Sequence, residues 1–142
     1  MQVINDYHSL KQILYLLGNQ IMSIALGLFE QNLAIAKVSG ILMRNELDQA
    51  KKWVFDHIQQ YGKIAALIVI EPEFQGLQEL VEWQDIEHDE YIQQHTKALA
   101  IVGSEQWSED AILFLLGGLL PFPIKYFQPK EQPLAEAWLL SH

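Results

Sequence analysis

Apolar positions recur along this chain with two periods, and the switches between them predict its elements. Leu10, Ile13, Leu14 and Leu17 stand at i, i+3, i+4 and i+7, one stripe of a helix, with Ser9 placed to cap it and Gly18-Asn19 to stop it. Residues 22–29 and 33–39 read as two strands, and the short Glu30-Gln31-Asn32 link makes them a hairpin. Asn45 is placed to cap a helix over residues 46–60, with Leu47, Ala50, Val54, Ile58 and Tyr61 inward and Gly62 as its stop. Residues 64–70 are all apolar and rich in Ile and Val, the mark of a strand buried on both faces.

Further along, Pro72 and Gly76 bracket a loop, and residues 77–94 carry a helical pattern. Residues 98–102 form another apolar strand. Gly103-Ser104 then turns into a helix across Trp107, Ala111, Ile112, Leu115 and Leu116. Residues 124–127 make a short strand, and Pro133 suits the first turn of a last helix with Leu134, Ala137 and Trp138 inward. Buried strands alternating with helices predict an α/β fold. Its sheet is mostly parallel with an antiparallel N-terminal hairpin strand, helices pack on the sheet, and an extra helix precedes it. Residues 1–21 are expected to be a helical extension and residues 22–142 one domain.

Composition narrows the class of partner. With 142 residues, half of them hydrophobic, the chain has the material for one core. A net charge of −9 repels phosphate backbones and excludes nucleic acid as a partner. The absence of cysteine removes disulfide and thiol chemistry and fits a cytoplasmic location. Asp6 and Lys11 break the pattern of an export signal. The longest apolar stretch, residues 111–124, is interrupted by Gly117, Gly118, Pro121 and Pro123, so no transmembrane segment is expected.

The order of several segments, "LAIAKVSGIL", "YGKIAALIVI", "KALAIVGSEQW", "PIKYF" and "AEAWL", resembles the SpoIIAA-like family of the STAS superfamily over residues 22–140. That resemblance implies a sheet wrapped by helices, related to the SEC14-like (CRAL-TRIO) lipid-transfer domains. It also implies action by binding. In the anti-anti-sigma proteins of the superfamily, a serine after the third strand is phosphorylated by a partner kinase, and the added charge switches partners. The corresponding place here is Glu71-Pro72-Glu73-Phe74-Gln75-Gly76, without Ser or Thr, so the phosphorylation switch does not carry over. Glu71, Glu73, Phe74, Gln75 and Gly76 are the candidate partner-binding residues, with either glutamate standing as a fixed charge. Both carboxylates are expected to be hydrated.

Other constellations carry less chemistry. Eight acidic residues and no Lys or Arg fall between Glu71 and His95, which reads as a solvated helix face or a surface for a basic partner. Asp85, His88 and His95 share a helix face, but seven residues separate the histidines, about 10 Å of rise, too far to hold one metal ion. Ser23, Ser39, Ser104 and Ser108 lack a nucleophile elbow, and no phosphate-binding glycine motif is present. No cofactor and no enzymatic activity are expected. Phe114, Leu116, Leu120 and Phe122 belong to a dense apolar block, expected to be core in the main and otherwise a dimer face or the wall of an apolar pocket.

The leading expectation is therefore a non-enzymatic cytoplasmic binding or regulatory module with protein partners; the alternative is a small carrier of an apolar, lipid-like ligand. A homodimer is expected, because the first helix adds Tyr15 and Leu16 beyond its main stripe and so needs more than one packing surface. An interface of about 800 Å² per subunit would cover it. Light scattering should give a dimer for the full chain. A monomer defeats the expectation, and a dimer that survives removal of residues 1–21 moves the interface to the domain.

Overall fold

The computed structural model describes residues 2–4, 23–29, 32–78, 86–107 and 120–142. The chain runs β1 (Gln2–Ile4), β2 (Ile24–Phe29), β3 (Leu33–Val38), β4 (Ile41–Leu42), α1 (Arg44–Tyr61), β5 (Ile64–Ile70), β6 (Gly76–Leu77), α2 (Ile86–Gln94), β7 (Thr96–Val102), β8 (Ile124–Phe127) and α3 (Gln132–Leu140). One sheet of six strands has the order β1-β2-β3-β5-β7-β8; β4 and β6 pair separately. β2 and β3 are antiparallel, and every other pair is parallel. The mostly parallel α/β sheet with an antiparallel hairpin is thus present.

Alternation along the strands sorts their side chains onto two faces. Ala25, Leu33, Ile35, Ala65, Leu67, Val69, Ala98, Ala100 and Val102 share one face with Phe127, and α3 seats Ala135 and Leu139 there. Ile24, Leu26, Val38, Ile70, Leu99 and Ile101 face the other way, toward Leu42, Phe74 and Ala50 of α1. Farther along that second side, Ile58 of α1 closes over Ala34 and Ile64, with Tyr91 and Ile92 of α2 beside it.

The N-terminus of α1 is fixed by distant residues. Asn45 is not its cap: the helix starts two residues earlier, Met43 stands at the N-cap, and no cap side chain bonds the first turn. Instead Gln78 Oε1 accepts from Arg44 N at 3.0 Å. That acceptor is in reach because β6, just before Gln78, pairs with β4, just before the helix. Glu46, in the first turn, accepts from Ser23 N at 2.9 Å and Ile24 N at 3.1 Å, and Ser23 Oγ accepts from Met43 N at 3.3 Å. The helix ends as expected at Gly62, whose φ of 92° suits glycine and whose N donates to Ile58 O at 2.8 Å.

Several expectations need correction. Tyr61 is 59% exposed and leaves the inward stripe of α1, which is built from Ala50 and Ile58 with Leu47 and Val54 partly buried. The last helix turns Ala135 and Leu139 inward with Trp138 packed beside them, while Leu134 is 59% exposed and Ala137 faces out. The inward positions follow from where β5, β7 and β8 meet the helix, which its nine residues cannot specify alone. Leu77 lies in β6 rather than in a helix. Gln2–Ile4 forms an unanticipated strand, so β1 and not the hairpin is the edge of the sheet. The stripe over residues 10–17 lies outside the described residues, as does the helix after Trp107.

Glu46→Ala should lower unfolding free energy by about 2 kcal/mol, because two buried-side amides lose a charged acceptor. In urea the midpoint should fall with an unchanged slope. An unaltered midpoint would mean that the carboxylate does not hold β2 to α1.

Candidate functional site

Between the second face of the sheet and the two helices α1 and α2 lies an apolar cavity of about 180 Å³. Small side chains create it. Ala34 and Ala36 on β3, Ala66 on β5 and Ala50 on α1 line it. Larger residues complete the wall, among them Leu47, Val54, Ile68, Ile92 and Phe122. Ala66 and Ile68 stand on a strand paired along both edges, yet they are only partly buried. The cavity therefore opens to the outside. Among the described residues, the polar groups in its wall are Lys51 from α1, Asp89 and Gln93 from α2, and Thr96 at the start of β7. Thr96 Oγ1 is committed to Ile92 O at 2.7 Å.

The apolar block divides. Phe122 lines this cavity and packs on the core, and Leu120 is half-buried. Phe114 and Leu116 lie outside the described residues.

The loop after β5 is built into the fold. Glu71 N donates to Val38 O at 2.9 Å, Gly40 N to Glu73 O at 3.2 Å, and Gln75 N to Gly40 O at 2.7 Å. Glu71 is half-buried and pairs with Lys37 at 3.4 Å, so it is not the freely hydrated carboxylate expected. Phe74, expected among partner-binding residues, is buried in the core beside Leu42 and Ile70; the turn at Pro72-Glu73 folds its ring inward. Gly76 has a φ of 118° and is half-buried. Glu73 and Gln75 are the exposed members of the set.

The histidine and serine constellations are taken up by packing. His88 meets the edge of Phe55 at 5.0 Å, and His95 stacks on Tyr91 at 4.2 Å with Nδ1 2.8 Å from Tyr91 O. Asp85 and Ser108 lie outside the described residues. Among the described residues no group of His, Asp or Glu converges as a metal site does. Ser23 is buried under α1, Ser39 bonds Ser23 O through its backbone, and Ser104 is exposed. The Tyr126 hydroxyl donates to Gly103 O, and burial, reinforced by the Glu105 charge, raises its pKa above the ordinary value.

Two features went unread in the sequence. The first is the set of small side chains, Ala34, Ala36 and Ala66, at three strand positions facing α1 and α2. The aromatic run on α1 also carried a signal, since Trp53, His57 and Tyr61 are spaced i, i+4, i+8. His57 stacks on Trp53 at 5.4 Å and meets Tyr61 in a tilted contact at 4.8 Å. Its Nε2 is 3.3 Å from Oδ1 of Asn32, the hairpin residue with a φ of 60° that also bonds Tyr61 O.

Burial lowers the His57 pKa from 6.5. The unfolded chain therefore takes up this proton at a higher pH than the folded one. The stability tied to neutral His57 is complete above the unfolded value and is lost as pH falls through the folded value. Melting temperature should drop between about pH 7.5 and pH 5, and His57→Gln should drop less over that window. Equal drops would remove His57 from the acid response.

Residues 33–140 match the family model described as SpoIIAA-like. No curated protein matches the chain. Among solved structures, the chain is similar to an uncharacterized protein of the DUF3478 family with a SpoIIAA-like fold from Shewanella loihica PV-4. The two are 23% identical, the match covers 85% of this chain and 97% of that one, and the TM-score is 0.62. That structural likeness bears on the fold, and the family match spans most of the sequence from β3 to α3. The chain belongs to the SpoIIAA-like family of STAS-type proteins.

Proposed function

We propose that this protein is a non-enzymatic binding module, working in the cytoplasm, that holds a small apolar ligand in the cavity beneath α1 and α2. The observation that carries the reading is the cavity itself: it opens to the outside, and the described residues that line it are mostly aliphatic. Native proteins leave few voids of this size unfilled, because every lining atom forgoes dispersion contacts. An apolar guest regains those contacts without displacing strongly bound water.

A second reading, a regulatory module that binds a protein partner, is favoured by the loop after β5. Its backbone is pinned to the segment before α1, and it presents Glu73 and Gln75 to solvent without an acceptor for phosphate. A fixed negative charge on a rigid loop suits a constitutive contact rather than a switched one.

Saturating toluene should raise the melting temperature by mass action on the folded state. Ala66→Leu, which fills the space above β5, should abolish that rise while the protein stays folded. No rise with the natural sequence would defeat the ligand reading. Native mass spectrometry of protein from its own host adds a separate readout, in which a bound apolar molecule supports the first reading and a stoichiometric second polypeptide supports the second.

A further inference from the structure

We infer that the cavity selects a compact, uncharged guest and rejects organic anions, and that the Lys51–Asp89 ion pair sets this preference. The inference rests on the cavity being the ligand site and adds the chemical class of its occupant.

Size limits the guest first. A cavity of about 150 Å³ lined by aliphatic and aromatic groups accommodates benzene. At about 180 Å³, this one holds a single ring with a short substituent within its walls. Charge limits it next. The cationic side chain in the lining is Lys51, and its Nζ lies 2.7 Å from Asp89 Oδ1, with side chains 12% and 26% exposed. The nitrogen itself is shut off from solvent and makes no hydrogen bond of regular geometry among the described residues. The cavity is therefore bounded by the aliphatic stem of the lysine, while its ammonium is held in the helix interface by the carboxylate. Among the described lining residues an entering carboxylate finds no free cation. To reach the ammonium it must displace Asp89, and that leaves two anions competing for one buried cation. An entering ammonium meets the mirror problem, because Asp89 is already neutralised. The net charge of −9 adds a long-range penalty for anions.

Toluene, benzoate and benzylammonium share a ring and one substituent carbon and differ in charge, so they separate these effects. In ligand-observed NMR or calorimetry at neutral pH, toluene should bind, and each ion should bind weaker by about tenfold or more. Asp89→Asn releases the ammonium, so benzoate should tighten by about fivefold or more while toluene changes little. Benzoate or benzylammonium binding as well as toluene to the natural sequence would overturn the inference and leave the ligand reading standing. Benzoate affinity unchanged in a folded Asp89→Asn protein would remove the ion pair as the cause. No binding of any of the three would overturn the ligand reading itself. The comparison of the three probes needs no variant, so it holds even where Asp89→Asn does not fold.

Discussion

Strand β5 is hydrogen-bonded along both edges, to β3 on one side and β7 on the other, and that double pairing governs what surrounds it. A strand with both edges paired has no route to water except through its two faces, and in a parallel sheet both faces must be covered by connecting helices. The seven residues of β5 are all apolar for this reason. On one face the cover is close: Ala65, Ala98 and Ala100 let α3 approach, and Ala135 of that helix is fully buried between them. On the other face the same small residue type has the opposite effect. Ala34, Ala36 and Ala66 lie beneath helices held off by the larger side chains around them, so a space remains. One residue type thus gives contact on one side and volume on the other, according to what holds each helix at its distance.

The sheet was legible in the sequence because strand signals are short-range. Residues 64–70 and 124–127 were bounded correctly from runs of apolar residues between turn formers. Gly62 was readable as the end of α1 because a stop of this kind needs only the local backbone. The start of α1 was not readable. Its Arg44 amide is met by Gln78 and its first-turn carboxylate by Ser23 and Ile24, residues more than twenty positions away. Asn45 matched the local rule for a cap, but tertiary acceptors had already met the need that the rule describes. The inward face of α3 was misjudged for a related reason. Its apolar residues wrap the helix too widely for periodicity to choose a side, and the sheet chooses it.

The candidate site divides along the same line. Phe122 belongs to a block read mainly as core and otherwise as a dimer face or a pocket wall; the structure packs it against the core and places it in the lining of the cavity. The loop after β5 was located by resemblance, but its chemistry was not: Phe74 points into the core and Glu71 is tied to Lys37, a residue on another strand. A linear pattern shows that a carboxylate sits in a loop; it does not show that a neighbouring strand supplies a lysine opposite. The Lys51–Asp89 pair joins two helices in the same way and left no trace in spacing.

The cavity above Ala36 and Ala66 has a mechanical consequence. Unfolding eliminates internal void, so hydrostatic pressure favours the unfolded chain in proportion to the empty volume that the native state carries. A space of about 180 Å³ is large for a chain of 142 residues. Where its apolar walls keep water out, this space makes the side of α1 and α2 more compressible than the side where α3 seats directly on the sheet. Occupied, it equalises the two sides, and the folded state then yields to pressure much as an ordinary close-packed domain does.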